Sequence, residues 1–343
     1  MWNITIFDKF KFLFKLKNNL KSLASLTYQK LSPQSQIFIH DFVTSETKDY
    51  YNNPSIFDSI FFELRTRCNS KCNFCAASIQ NEVRPDVTME FNLYEKAIKE
   101  LELIKYDKRI CFHVNNDPLL VKNLHEYISL ARKKCPNAWI QILTNGRSLN
   151  NKNGLAMLNA GIDELSINIY QEKKTNITPT NILNFENEVL YKFYKAKNIY
   201  GGNPGIIEEK KYPHYIKYTK ASRLIYETLS NRAGSAPNKK NNHVIPKLGY
   251  CSHPFSQFNI TVNGEVSQCC ADFNFDSKMG NISNRSIMEI WNDKKFTRTR
   301  EDLKKGNRQD NLLCSKCDHF GVNSIPNSFL KKQLFKLLFI NDS

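Results

Sequence analysis

Glycine and proline are scarce in this chain, twelve of each in 343 residues, which excludes collagenous and low-complexity classes. Long apolar runs are missing too. Stretches such as Ile60-Phe61-Phe62 and Leu337-Leu338-Phe339-Ile340 fall far short of the ~18 residues that a spanning helix needs. The apolar start is interrupted by Asp8, Lys9, Lys11, Lys15 and Lys17, so the unbroken core of a secretory signal is absent and a cytoplasmic protein is expected. Arginine is the minor cation, 12 against 37 lysines in a net charge of +16. Base readout and phosphate clamping lean on arginine, so the charge reads as a solvated surface and nucleic acid is not the expected partner.

What the chain does have is a core and cysteines. At 41% hydrophobic and 12% aromatic residues, it can bury a sizeable core in two domains, or in one large domain with appendages. Its ten cysteines are Cys68, Cys72, Cys75, Cys111, Cys135, Cys251, Cys269, Cys270, Cys314 and Cys317. A reducing compartment points them to metal or redox chemistry rather than to a disulfide framework. They form two clusters, with Cys111 and Cys135 left over as small buried hydrophobes.

Residues 1–55 read as an extension, basic and aromatic at Phe10, Phe12, Phe14, Leu16 and Leu20. It is expected to dock on the body as a helix, with peripheral contact to an anionic membrane as the alternative. From Ser59 onward strand and helix patterns alternate, which argues parallel βα units. Strands are expected at 59–66, 109–114, 138–143, 164–170 and 215–219. Helices are expected from a Thr88 cap through Leu93, Ala97, Leu101 and Ile104, then over 120–134, over 154–159 with a stop at Gly161, and over 182–196. The units are too few for eight repeats. The expected fold is therefore α/β, a partial (β/α) TIM-like barrel over residues 56–235, then a linker at 236–249. A small α+β unit follows at 250–325, with a β-hairpin turning at Asn263-Gly264 between strands at 258–262 and 265–270. Residues 326–343 read as a basic amphipathic helix (Phe329, Leu330, Leu334, Leu337, Leu338) that docks on the barrel, with a partner or a membrane as alternatives.

Cys68-Asn69-Ser70-Lys71-Cys72-Asn73-Phe74-Cys75 places three thiolates on one loop directly after the first strand. Three thiolates can hold three corners of a 4Fe-4S cube and leave the fourth iron open. Zinc, the alternative, wants four ligands, and the loop offers no fourth cysteine or histidine.

This pattern, CxxxCxΦC with Phe74 as the aromatic Φ, resembles the radical S-adenosylmethionine (radical SAM) superfamily over residues 56–234. The resemblance implies that the open iron binds the amino and carboxylate groups of SAM. Electron transfer then cleaves SAM to methionine and a deoxyadenosyl radical, which abstracts a substrate hydrogen. It further implies that Asn115, Asn116 and Asp117 stand where the family has its GGEP-type segment, with both glycines and the glutamate replaced. Thr144-Asn145-Gly146 resembles the family's TNG, and Ser166 and Asn168 occupy strand four, where polar side chains reach the ribose.

The second set, Cys251, Cys269, Cys314 and Cys317, comes from a loop, a strand end and a CxxC knuckle, and by spacing alone suits zinc or iron–sulfur. Residues 249–322 resemble the SPASM or shorter twitch domain of radical SAM enzymes, which implies an auxiliary 4Fe-4S cluster. No cysteine follows Cys317, so one auxiliary cluster is expected. Adjacent strand residues face opposite sides, so only one of Cys269 and Cys270 should ligate it; the resemblance implies Cys269, with Cys270 packing or lying near the cluster. His214, His243, His253 and His319 show no ligand spacing and read as solvent or structural residues.

The twitch-like arrangement implies a dehydrogenase. Such an enzyme oxidises a hydroxyl-bearing carbon of a sugar-like or aminocyclitol metabolite, with the auxiliary cluster accepting an electron and Arg232 stabilising the developing oxyanion. A flavodoxin- or ferredoxin-like electron donor is implied. The alternatives are a maturase acting on a peptide or protein, and a non-enzymatic metal-binding interaction protein on the same scaffold.

Overall fold

The computed structural model describes residues 54–78, 84–173, 177–197, 200–202, 215–225, 230–239 and 250–319, with isolated positions 31, 32, 35, 38, 39, 42, 43, 330, 331 and 334. The expected terminal helices, most of the linker, His214 and His243 lie outside the described residues.

The first half repeats one grammar: β1 (Ser59–Phe62), α1 (Phe91–Leu103), β2 (Arg109–Cys111), α2 (Leu124–Lys134), β3 (Trp139–Thr144), α3 (Asn151–Ala160), β4 (Glu164–Gln171). Next, α4 (Thr180–Phe185) runs through a π-turn (Glu186–Leu190) into α5 (Tyr191–Lys197), followed by β5 (Tyr200–Gly202) and β6 (Tyr215–Leu224). The longer helices α1 and α2 form where apolar residues recur on one face. In α1, Tyr94, Ala97, Ile98 and Leu101 are buried, and in α2, Leu124, Tyr127, Ile128 and Ala131. Asn150 and Asn153 cap α3 reciprocally, and Gly161 ends it at φ +94°.

The remainder contributes α6 (His253–Ser256), β7 (Gln257–Ile260), β8 (Glu265–Ser267), β9 (Lys278–Asn281), α7 (Ile287–Trp291) and α8 (Lys294–Lys304). Among the described residues, all strands join one nine-stranded sheet ordered β5-β6-β4-β3-β2-β1-β7-β8-β9. It is parallel from β5 to β7 and antiparallel beyond. Among the described residues β5 and β9, the ends of the sheet, do not pair, which makes the barrel partial. The sheet continues past the expected division into two units: β7 lies parallel on β1, from Ser59 opposite Gln257 to Phe62 opposite Ile260.

Alternation along the strands gives the sheet two unlike faces. Ile60, Phe62, Ile110, Ile140, Ile142, Leu165, Ile167, Phe258 and Ile260 share one core with the helices, and Trp291 and Phe296 close it beneath the hairpin. The opposite, concave face is polar and half-buried. There Trp139 Nε1 donates to Glu164 Oε2 at 2.9 Å, Ser166 Oγ to Glu164 Oε1 at 3.0 Å and Thr219 Oγ1 to Ser166 Oγ at 2.8 Å.

Several boundaries differ from the sequence reading. β1 ends at Phe62, because residues 64–67 turn away from the sheet to meet the returning chain, while Glu63 N still donates to Ile260 O at 2.8 Å. Met89 N donates to Leu64 O at 2.8 Å and Thr66 N to Val87 O at 3.0 Å. Thr88 is thereby drawn into a bridge with Arg65, and Glu90 takes the N-cap position of α1 without a side-chain cap bond. β8 stops at Ser267, whose hydroxyl donates to Cys269 O at 3.2 Å.

Candidate active site and auxiliary centre

The C-terminal ends of the parallel strands converge on one cavity of about 300 Å³, the face where barrels of this kind collect their sites. Cys68, Cys72, Phe74 and Cys75 after β1, Asn115, Asn116 and Asp117 after β2, Thr144 and Asn145 at the end of β3, and Asn168 on β4 all line it. So do Arg232 and Cys270. Ser166 does not: its hydroxyl bonds to Glu164 and Thr219 deeper in the concave face.

Asp117 joins the loops. Its carboxylate accepts from Leu119 N at 3.0 Å, from Thr144 Oγ1 at 2.9 Å and from Asn145 N at 2.8 Å. Burial pushes its pKa up, and these donors oppose the shift. Asn145 Nδ2 reaches the cysteine loop, donating to Asn69 Oδ1 at 2.8 Å and to Cys68 Sγ at 3.7 Å. Asn116 is spent within its own turn, accepting from Val114 N at 3.1 Å and donating to Phe112 O at 3.3 Å. Neither Asn115 nor Asn116 has positive φ, so this turn does not need the glycines of the family segment. Gly146 does need to be glycine: at φ +74° an added Cβ would sit 2.8 Å from Ile167 Cγ2.

Asn115 is 4% exposed, yet both of its amide atoms lack a partner, as do Ser70 Oγ and His113 Nδ1 in the same cavity. Buried polar atoms of this kind are costly without a ligand, and they fit the amino, carboxylate and hydroxyl groups of SAM. Burial pushes the Cys68 thiol up to about 11, a shift that bound iron reverses by holding the thiolate. The loop is braced from several sides. Asn73 N donates to Ile225 O at 3.0 Å, Phe273 packs on Ala76 and Ala77 beside Cys68 and Cys75, and Phe74 lies 5.6 Å from the Tyr170 ring.

Cys251, Cys269, Cys314 and Cys317 surround a second cavity together with His253, Gln268, Arg308 and His319. Gln268 Nε2 lies 3.2 Å from Cys314 Sγ and His319 N lies 3.4 Å from Cys317 Sγ, both as donors. Burial, reinforced by the neighbouring thiols, drives Cys269 far up, Cys314 to about 12 and Cys317 to about 11. Four buried thiols with N–H donors aimed at sulfur suit an all-thiolate cluster.

Cys269 faces the second cavity and Cys270 the first, so the two cavities stand on either side of one peptide bond. Cys111 and Cys135 are buried in the protein interior. The sequence reading missed His113 and Tyr170 in the first cavity, and Gln268 and Arg308 in the second. It also missed that His253 and His319, 66 positions apart, bring their rings within 4.5 Å beside the thiols. Strand alternation could have flagged His113, two residues beyond Cys111. Nothing local signals the histidine pair.

A family model described as the radical SAM superfamily matches residues 63–171, and one described as an iron-sulfur cluster-binding domain, SPASM, matches residues 251–318. The chain belongs to the radical SAM superfamily. As a radical SAM enzyme with a C-terminal SPASM-type domain, it uses SAM and 4Fe-4S clusters. The S-adenosyl-L-methionine-dependent 2-deoxy-scyllo-inosamine dehydrogenase of Niallia circulans is 29% identical to it over 273 residues, 78% of this chain and 96% of that one. The structure of BtrN in complex with AdoMet and 2-DOIA is 26% identical, with a TM-score of 0.58, covering 80% of this chain and 97% of its own. BtrN in an open conformation, 23% identical with a TM-score of 0.52 over 79% of this chain and 94% of its own, shares the fold. Among the described residues no helix is long and apolar enough to cross a membrane.

Proposed function

We propose that this radical SAM oxidoreductase oxidises a hydroxyl-bearing carbon of a small sugar-like or aminocyclitol metabolite, taking one hydrogen from the carbon and one from its hydroxyl, with the radical core at 56–235 and the auxiliary unit at 250–325. The observation that carries this reading is the back-to-back placement of the cavities: Arg232 and Cys270 line the one onto which the CxxxCxxC loop opens, and the next cysteine along, Cys269, lines the other. The relative from Niallia circulans, a dehydrogenase by name, supports it.

Cys68, Cys72 and Cys75 would hold the first cluster, and Cys251, Cys269, Cys314 and Cys317 the second. When bound, these centres and SAM supply a radical that removes a hydrogen atom from carbon, and an acceptor for the electron left behind. Asn115 and Ser70 offer free polar atoms to SAM, Asn145 and Asn168 add polar contacts along its cavity, and Asp117 fixes the loop geometry. Phe61, Phe74 and Tyr170 form apolar walls that limit water. The alcohol must lose a hydrogen atom from carbon, a proton from oxygen and one electron to become a ketone. Among the described residues that line the cavity Arg232 is the cation, and its guanidinium holds the oxygen as the proton leaves. A low-potential donor of the flavodoxin or ferredoxin type supplies the starting electron.

The test is anaerobic incubation of reconstituted enzyme, SAM and reductant with 2-deoxy-scyllo-inosamine and a panel of neutral inositols. A product two hydrogens lighter, formed in step with deoxyadenosine, is expected. A peptide as the only molecule modified in a cell extract would overturn the reading.

A further inference from the structure

The chain that delivers Arg232 into the first cavity is held in a conformation it would not adopt alone. Arg232, Ala233 and Gly234 are consecutive and left-handed, with φ of +46°, +53° and +85°. Only glycine takes this region freely, so two non-glycine residues there must be over-determined by their surroundings. The Arg232 side chain is not what fixes it, because among the described residues its guanidinium makes no hydrogen bond or ion pair. Its aim comes from the backbone.

That backbone is locked through Asn231, which is 0% exposed. Asn231 N donates to Asp318 Oδ1 at 2.6 Å, its side-chain oxygen accepts from Asp318 N at 3.0 Å, and its Nδ2 donates to Lys316 O at 2.7 Å. Its carbonyl accepts from Gly234 N and Ala236 N, both at 3.0 Å. Ser235 completes the turn, donating to Arg232 O from Oγ at 2.6 Å and from N at 3.1 Å. The partners across the clamp are not arbitrary surface groups. Lys316 belongs to the turn Cys314–Lys316, and Asp318 follows Cys317 directly, so the Arg232 turn is fastened to the cysteine knuckle of the second cavity.

We propose that Asn231 and Asp318 are positioning residues, a reciprocal clamp that sets Arg232 in the active cavity and makes its placement depend on the knuckle that holds the auxiliary centre. The proposal rests on the role read for Arg232 above. Its consequence is that the residue that handles the substrate oxygen and the loop that carries the electron acceptor are one mechanical unit. Disturbing the knuckle withdraws the arginine as well.

The experiment compares reconstituted full-length wild type, D318A, D318N and R232Q by amide hydrogen exchange and by turnover of 2-deoxy-scyllo-inosamine as the probe. Asp318 is only half-buried, and the amides of β3 serve as an internal control for folding. In D318A the amides of Asn231, Gly234, Ser235 and Ala236 should exchange at least about tenfold faster with β3 unchanged, the equivalent of one lost hydrogen bond to a charged group. Turnover should fall by at least about tenfold through kcat with KM retained. D318N keeps the acceptor oxygen and should restore both, whereas R232Q should lose turnover without faster exchange. Unchanged exchange in D318A, or faster exchange with undiminished turnover, overturns the clamp. Full turnover in R232Q instead overturns the role read for Arg232, an outcome the exchange data keep separate.

Discussion

Breaking the ion pair between Glu63 and Arg84 should cost far more from one side than from the other. Glu63, just past the end of β1, is 0% exposed. It accepts from Arg84 Nη1 at 2.7 Å and Nη2 at 2.9 Å, with Val262 N at 3.4 Å. The Arg84 side chain is 19% exposed, and its guanidinium lies 5.0 Å from the centre of the Phe275 ring. One pair thus ties the exit of β1, the return of the cysteine loop and the auxiliary hairpin together. R84M leaves a buried carboxylate without its cation, which costs about 3–5 kcal/mol, a large part of an ordinary stability of about 5–15 kcal/mol. E63Q removes the charge, keeps one acceptor and leaves an arginine able to reach water, at about 1–2 kcal/mol. The double variant E63Q/R84M buries no charge and should be more stable than R84M alone, giving a coupling of about 2–3 kcal/mol. Anaerobic urea unfolding followed by tryptophan fluorescence measures all four proteins, with iron bound by the cysteine loop as a second readout. Equal losses in the two single variants, or strictly additive losses in the double, would refute the reasoning.

Three further outcomes follow from the geometry. F273A removes a ring that is 2% exposed and packed on the cysteine loop; it should destabilise by about 3–5 kcal/mol and speed oxygen-driven iron loss from the first centre, read by the decay of visible absorbance. C269A should lose the iron of the auxiliary centre while C270A keeps it, because the two side chains face different cavities; equal iron loss in both would count against the assignment. A233G relieves a left-handed alanine at φ +53°, gaining about 1–2 kcal/mol against about 0.5–1 kcal/mol of added backbone entropy, so a small rise in melting temperature is expected and a fall would show that the turn is unstrained.

What the sequence made legible was what local physics controls. Three cysteines within eight residues announce a cluster loop because their spacing is the chemistry. Asn263-Gly264 announces the hairpin because a turn needs positive φ, which Gly264 adopts at +78°. The pairing of β7 with β1 was not legible, since a parallel partner nearly two hundred residues away leaves no local trace. The chain returning from the cysteine loop, another non-local partner, shortened β1 and took Thr88 from the helix cap. Ser166 lies off the cavity lining because period two fixes the face of a strand residue but not its depth, and its hydroxyl is bonded to Glu164 and Thr219. Cys269 and Cys270 do line different cavities, but alternation alone does not say which of two neighbours serves the auxiliary centre, a choice that rests on the family resemblance.

The central claim is that one chain holds two iron–sulfur centres side by side, one open to SAM and one enclosed by four thiolates. Iron analysis with electron paramagnetic resonance of the reduced, anaerobically reconstituted protein, recorded with and without SAM, tests it most directly. The account predicts about eight irons per chain in two 4Fe-4S centres, with SAM altering the signal of one and leaving the other unchanged. Zinc in place of iron in the second set, iron for a single centre only, or two signals indifferent to SAM would contradict it.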